Sequence, residues 1–144
     1  MNNIWPNRAL LMHSKLSQII IHATNQNELL DQACKLAVEI GGYCSAWAGN
    51  ARPDTEKTIE PTEVYGSAIE FINHITVTWS ENKAPGRGPA GQTFRSGIPV
   101  ICTDFTKDDS FKPWLINAQQ YRLKGCVSLP LIDKELTFGL LYFF

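Results

Sequence analysis

The sequence predicts an α+β domain built around a largely antiparallel sheet. Apolar residues recur at three- and four-residue spacing in the first third of the chain, which is typical of amphipathic helices. Segments rich in strand formers follow, and the last two are separated only by a turn at Asp133-Lys134, which indicates a hairpin. Because helical patterns cluster at the start and in the middle instead of alternating with strands, a doubly wound parallel sheet is not expected.

The composition is that of one ordinary globular domain. The chain has 144 residues, and 44% of them are hydrophobic; a domain of this length buries roughly 70% of its unfolded surface. With 13 Lys+Arg against 14 Asp+Glu, the net charge of −1 argues against a general nucleic-acid binder. The longest apolar stretch, from Leu136 to Phe144, is shorter than the roughly 20 residues of a membrane-spanning helix, so no membrane contact is expected.

Two helices are predicted before the first strand. Residues 6–22 have an apolar stripe that could pack on the same domain or on a second subunit, formed by Ala9, Met12, Leu16 and Ile19. The second helix runs from about Gln26 to Ile40, with Asn25 as its cap and Glu28 three residues later. Gly41-Gly42 ends it, because glycine adopts the left-handed conformation without strain.

The remaining elements are shorter. Ala68 to Thr76 is ambiguous, because its isoleucines fit a helical period while Ile75 to Trp79 is rich in strand formers. Short helices are predicted over Pro89–Arg95 and Pro113–Tyr121. Strands are predicted at Tyr43–Gly49, Glu63–Ser67, Ile98–Cys102, Gly125–Ile132 and Leu136–Phe144.

No catalytic or metal-binding motif is complete. Gly86 to Gly91 matches GxGxxG, but a polar loop precedes it and the following helix is short, so a tight turn is the better interpretation than a dinucleotide site. Ser128 is outside any GxSxG elbow. His74, in an apolar segment, could ligate haem iron, although a histidine without a ligand role is commoner.

The cysteines indicate a reducing compartment. Cys34, Cys44, Cys102 and Cys126 are scattered, with no CxxC pair that would indicate a zinc site. They lie within apolar segments, where a thiol acts as a small hydrophobic group. Four reduced cysteines and a cytoplasmic location are therefore expected, and no metal is predicted.

The segment from Gly86 onward resembles a GAF domain, of the kind found in bacterial diguanylate cyclases, cyclic-di-GMP phosphodiesterases and sensor histidine kinases. The helix Gln26 to Ile40 followed by Ala46-Trp47-Ala48-Gly49 is similar to the opening of that family. The other motifs with this resemblance are Gly86-Arg87-Gly88-Pro89-Ala90-Gly91, Arg95 to Ile101, Asp104, Phe111-Lys112-Pro113-Trp114 and Ser128-Leu129-Pro130-Leu131.

The resemblance implies a fold and a role. The fold would be a PAS/GAF-like central antiparallel sheet of five or six strands with helices packed on one face and a loop-lined pocket on the other. The role would be sensory and regulatory without chemistry of its own: a small ligand would control a covalently linked output domain, such as one that turns over cyclic-di-GMP or a histidine kinase. A homodimer through the terminal helices is also implied.

Within this resemblance, residues 1–24 form an N-terminal helix with a possible dimerisation role. Residues 25–144 form the sensory domain, which is expected to be truncated at its C-terminus because the chain ends on its last strand. Aromatic and polar residues near the loops are the predicted ligand-binding positions: Trp79, Arg87, Phe94, Thr103, Asp104, Phe105, Phe111, Trp114 and Ser128.

The departures from the family limit the ligand without naming it. No Cys-His pair marks a bilin site, there is no haem signature, and the NKxF signature of phosphodiesterase GAF domains is missing, so the cofactor is unknown. Two alternatives stay open. One is a GAF-type free methionine sulfoxide reductase that uses Cys102 and Cys126, although the rest of that active-site pattern is missing. The other is a purely structural dimerisation module with a filled pocket.

Overall fold

The computed structural model describes Leu11, Lys15 and residues 25–144. Of the helix predicted over residues 6–22, only Leu11 and Lys15 are among the described residues. The dimerisation role predicted for this helix therefore also falls on residues outside the described part. The first helix with described bounds, α1, covers Gln26–Glu39. Its N-terminus is capped as the sequence predicts, because the Asn25 side chain accepts a hydrogen bond of 2.8 Å from the Glu28 amide.

In the described part of the chain, five strands form one antiparallel sheet in the order β2-β1-β5-β4-β3. They are β1 (Ser45–Ala51), β2 (Ile59–Gly66), β3 (Val100–Cys102), β4 (Cys126–Asp133) and β5 (Leu136–Phe143). The hairpin β1–β2 and the hairpin β4–β5 each pair locally along the chain. The pairing of β1 with β5 joins the two hairpins into one sheet, so the predicted α+β antiparallel class is confirmed.

The β4–β5 hairpin turns one residue later than the sequence predicts. Lys134 and Glu135 form the turn, with φ of 51° and 68° respectively, instead of Asp133-Lys134. Positive φ at both central residues matches the right-handed twist of the flanking strands. Neither residue is glycine or asparagine, so the turn signal is weak in the sequence although the strands on either side are clear.

The two faces of the sheet carry different helices. On the face that we call the outer face, α1 packs Leu30, Cys34 and Ala37 against residues of β1 and β5. The opposite, inner face is covered by three short helices, α2 (Ile69–His74), α3 (Pro89–Ser96) and α4 (Leu115–Gln120). Helices therefore lie on both faces, the long one on the outer face and the short ones around the larger core cluster, whereas the resemblance implied helices on one face and a loop-lined pocket on the other.

Local packing decides the segments that the pattern left ambiguous. Residues 69–74 are helical, and Ala68 at the start of α2 donates its amide hydrogen bond to the buried Ser45 hydroxyl at 3.2 Å. The second strand begins at Ile59, earlier than predicted, because it pairs along the whole of β1. Before α4, the chain forms a 3₁₀ helix over Asp109–Trp114, and Pro113 lies within it.

No helix in the described part of the chain has the length and apolar character needed to cross a membrane.

The glycines of the GxGxxG match serve packing. A Cβ atom on Gly91 would lie 2.0 Å from the Gly86 carbonyl oxygen, and one on Gly88 would lie 2.4 Å from the Trp114 ring. Gly88 is the N-cap of α3, and Pro89 occupies the first helical turn. The segment is therefore a tight turn into a short helix, as the sequence predicts. Because its glycines have no side chains, the turn can contact Trp114.

We predict that Gly88→Ala destabilises the fold by roughly 1–3 kcal/mol, because the added methyl group overlaps the buried Trp114 ring. Gly97→Ala is the control, since its Cβ would have room but its backbone has a φ of 68°. Left-handed strain alone should cost about 1 kcal/mol. Urea unfolding would measure both free energies of unfolding, and a loss below about 0.5 kcal/mol for Gly88→Ala would contradict the packing role of Gly88.

Candidate functional site

A small cavity lies between the inner face of the sheet and the short helices. Its volume is about 20 Å³, which is room for one water molecule. No described residue that lines it is charged. The lining residues are Trp47, Phe71, Ile75, Val77, Pro89, Ala90, Phe111, Trp114, Tyr142 and Phe144. We call this space the inner cavity.

The floor of the inner cavity is a pair of aromatic side chains from the two central strands. Trp47 of β1 is directly opposite Tyr142 of β5, and their rings stack with centroids 5.3 Å apart. Gly49 is two residues from Trp47 on the same face. A Cβ on Gly49 would lie 2.6 Å from the indole ring, so glycine at this position lets the ring lie along the strand.

The indole nitrogen of Trp47 has no hydrogen-bond partner. Trp47 is only 1% exposed, and its Nε1 is buried among the described residues without an acceptor. Trp114, on the cavity wall, differs because its Nε1 donates to the Thr76 carbonyl oxygen at 3.1 Å. Leaving a buried N–H unpaired costs about 1–3 kcal/mol. One residue of the mostly apolar lining therefore has a buried donor without an acceptor among the described residues.

Aromatic stacking holds the part of the cavity lining that comes from the segment between β3 and α4. Phe111 lines the cavity, and the ring of Phe105 stacks on it with centroids 3.6 Å apart. Both rings belong to the 3₁₀ segments between β3 and α4, which begin at Asp104 and Asp108. Each aspartate accepts a hydrogen bond from the amide two residues later, at 3.0 and 2.9 Å respectively. These caps hold the loop, and through it Phe111, against the sheet.

Next to the floor, β4 adds a row of polar and thiol groups on the same face. Ser128 is opposite Tyr142, and its buried hydroxyl has no described partner. Burial raises the pKa of the Tyr142 hydroxyl well above its usual range, with the nearby Cys126 thiol adding to the shift. Burial likewise raises the pKa of Cys126 to about 12, partly offset by its hydrogen bond with Tyr142.

Cys102 and Cys126 are cross-strand neighbours. They are register partners of the β3–β4 pair, and paired residues of an antiparallel ladder have Cα atoms about 4.5–5.5 Å apart. A disulfide spans that separation without backbone movement. Both cysteines are unbonded, and the pKa of Cys102 is also raised, chiefly by burial. The geometry thus allows a thiol pair, while the raised pKa values keep both thiols protonated near neutral pH.

The predicted binding residues do not form one site. Phe111 and Trp114 line the inner cavity, Phe105 stacks behind Phe111, and Ser128 is buried on the same face of the sheet. Trp79 and Phe94 contact each other with centroids 5.0 Å apart. They line a separate open groove of about 650 Å³ beside the β4–β5 hairpin.

Three of the four polar candidates lie elsewhere. Thr103 and Asp104 line another open groove of about 560 Å³, next to α4. The Asp104 carboxylate bonds the Thr106 hydroxyl at 2.6 Å as well as its amide, so it is committed to the local turn. Arg87 is exposed, and its guanidinium donates to the carbonyl oxygens of Glu81 and Asn82. Its contacts close a loop and do not reach the inner cavity.

The sequence-based site missed the residues of the floor and the α2 wall. Trp47, Phe71, Ile75 and Tyr142 all line the inner cavity. The available signal was the alternation within β1 and β5, which places Trp47 with Gly49 and Tyr142 with Leu140 on one face. Alternation does not say which face holds the cavity, because both faces of these central strands are buried.

Comparisons with known proteins agree on one fold. The family model of the GAF domain matches residues 23–144. The GAF domain of Aquifex aeolicus nlh2, solved in an inactive state, is 15% identical with a TM-score of 0.72, over 96% of this chain and 80% of that one. No curated protein sequence matches the chain significantly.

Two other similar structures have different roles. The free methionine-R-sulfoxide reductase of Neisseria meningitidis, solved with its substrate, is 12% identical with a TM-score of 0.75, over 99% of this chain and 75% of that one. The GAF domain of an Acinetobacter phosphoenolpyruvate-protein phosphotransferase is 14% identical with a TM-score of 0.68, over 99% and 77%. At these identities the likeness shows the fold alone. With the family model covering most of its length and the five-stranded sheet in place, the chain belongs to the GAF domain family.

Proposed function

We propose that this chain is a sensory GAF module that binds a small molecule in the inner cavity and regulates an attached output domain. The main support is the unpaired, buried Trp47 indole N–H on the cavity floor. Proteins rarely leave such a donor without a partner, so a ligand or water acceptor is the natural complement. The volume of about 20 Å³ holds only a water, so a larger molecule could bind only after side chains of the lining move.

The sheet offers a direct route from the cavity to the outer face. Along β5, Tyr142 and Phe144 line the inner cavity, whereas Phe143 between them packs with α1 on the outer face. A ligand that moves the Tyr142 ring would therefore also change the packing under α1. A ligand shifts such an equilibrium only by its difference in affinity for the two conformers. The proposal includes three further points. The change is transmitted through α1 to the terminal helices, and the protein is a homodimer. The output domain is cytoplasmic and serves cyclic-di-GMP turnover or histidine kinase signalling.

We expect a metabolite screen by thermal shift to find compounds that raise the melting temperature of the wild-type chain but bind Trp47→Phe about fivefold more weakly. The reason is the loss of one hydrogen bond to the ligand, worth about 1 kcal/mol. Trp79→Phe is the control, because its indole nitrogen is also buried and unpaired but lies at the separate groove. Equal effects of both variants would contradict binding in the inner cavity.

A second candidate function is supported by the Cys102–Cys126 pairing: reduction of a small sulfoxide such as free methionine sulfoxide. One thiol would attack the sulfoxide sulfur, and the sulfide would leave as that cysteine becomes a sulfenic acid. The second thiol would then displace water to form a disulfide, which an external dithiol reduces. The similar fold of two sulfoxide reductases is compatible with this chemistry. The raised thiol pKa values oppose it, because the thiolate is the nucleophile.

The thiols can be ranked by their alkylation rates in the native protein near pH 8. We expect Cys44, which is exposed, to react first, then the half-buried Cys102, with Cys34 and Cys126 last. Burial raises the pKa of both Cys34 and Cys126 to about 12, so their thiolate fractions are very small. Mass spectrometry after iodoacetamide treatment measures the order, with Cys44→Ser to assign the fast site. Cys126 labelling as fast as Cys44 would indicate an activated thiol and favour the reductase.

An enzyme assay separates the two functions. With thioredoxin, its reductase and NADPH, we expect the intact chain to show no NADPH consumption above background on adding free methionine sulfoxide. If activity is present and is lost in Cys102→Ser and Cys126→Ser but kept in Cys44→Ser, the sensory proposal fails and the reductase replaces it. A functional reductase from another source in the same coupled system serves as the positive control.

A further inference from the structure

An open cleft lies directly outside the inner cavity, between helices α2 and α4. Its volume is about 230 Å³. The described residues that line it are Glu70, Phe71, His74, Ile75, Asn117, Gln120 and Tyr121. We call it the outer cleft. In contrast to the inner cavity, most of its lining residues are polar.

Two side chains separate the outer cleft from the inner cavity. Phe71 and Ile75 line both spaces, so they form the wall between them. Phe71 is held by ring contacts at 5.8 Å to Tyr121 on one side and Phe144 on the other. Ile75, at the C-cap of α2, is only half-buried. A rotation of these side chains would join the two spaces into one continuous pocket.

The joined pocket has a distinct arrangement of hydrogen-bonding groups. At its inner end, Trp47 offers an unpaired N–H donor. In the outer cleft, Glu70 supplies a carboxylate, and the Nδ1 atom of His74 lies 2.6 Å from the Glu70 carbonyl oxygen. A neutral His74 ring in that contact carries its proton on Nδ1, which leaves Nε2 as an acceptor. Neither lining includes a lysine or arginine among the described residues, so no permanently charged cation is available there to pair with an anion.

We propose that the ligand is a flat heterocycle with an acceptor atom on the ring and a neutral or cationic polar substituent, and not an anion such as a nucleotide phosphate. The ring would occupy the inner cavity with its acceptor against Trp47, after Phe71 and Ile75 move. The substituent would lie in the outer cleft near Glu70. This inference rests on the proposed function, since it names the ligand class of the same cavity.

A matched set of pyridines tests the ligand class. The probes are 3-pyridylmethylamine, 3-pyridylmethanol and nicotinate, which share a ring nitrogen but differ in substituent charge; benzyl alcohol lacks the ring nitrogen. The readout is the Trp47 indole N–H resonance, assigned by its loss in Trp47→Phe. We expect the amine to bind roughly two- to fivefold more tightly than the alcohol, as for a solvent-exposed ion pair. Nicotinate should bind most weakly, and the alcohol several-fold more tightly than benzyl alcohol.

Two variants test the carboxylate and the wall. Glu70→Gln should abolish the preference for the amine over the alcohol, because the carboxylate that pairs with the ammonium group is lost. Ile75→Ala should tighten the binding of every pyridine probe, because less of the wall has to move. Ile69→Ala, on the same helix, is the matched control: Ile69 is 42% exposed and lines neither space. Glu70 is exposed, so we expect Glu70→Gln to fold. This variant therefore tests the ligand class even if Ile75→Ala does not fold.

The outcomes separate this inference from the proposed function. The expected order of affinities, together with the loss of the amine preference in Glu70→Gln, supports both. If the Trp47 resonance responds but nicotinate binds best, or Glu70→Gln leaves the order unchanged, the ligand class is wrong and the inner cavity remains the sensing site. If no probe moves the resonance in either the wild type or a folded Ile75→Ala, the ligand class is wrong, and the metabolite screen alone decides whether the inner cavity binds a ligand.

Discussion

The pairing of β1 with β5 is the contact on which the rest of the structure depends. Without it the chain has two separate hairpins, and with it they become one sheet with two buried faces. The pairing is continued by the Phe144 amide, which donates to the Ser45 carbonyl oxygen at 2.8 Å. It places Trp47 on Tyr142 as the cavity floor and puts Phe143 under α1 on the other face. Site and helix are therefore coupled through the same strands.

The local elements could be predicted from the sequence because their causes are local. The Asn25 cap of α1 and the left-handed Gly97 that ends α3 follow from nearby residues alone. The β4–β5 hairpin was recognisable from its strands, and only its turn shifted, since Lys134 and Glu135 are unusual residues for positive φ. The helix over residues 69–74 was ambiguous because packing on the inner face, and not the apolar period, decides it.

The site was harder to predict, because it is built from residues distant in sequence. The family resemblance identified the loop aromatics Phe111 and Trp114, which line the inner cavity. It could not identify Trp47 or Tyr142, since the β1–β5 register that joins them is a long-range property. Trp79 was predicted to bind the same ligand as Phe111 and Trp114. Its segment makes only a single β-bridge, between Thr78 and Thr58, and the Trp79 side chain lines a different groove.

The central claim is that the buried Trp47 indole N–H, which has no acceptor among the described residues, donates to a water or ligand in the inner cavity. A high-resolution crystal structure of the protein as purified from cells tests it most directly, through the electron density next to Nε1. The account predicts either an ordered water or a small molecule within hydrogen-bonding distance of Nε1, in the space bounded by Phe71 and Ile75. An indole N–H that instead donates to a protein carbonyl or side chain, with the cavity filled, would contradict the account.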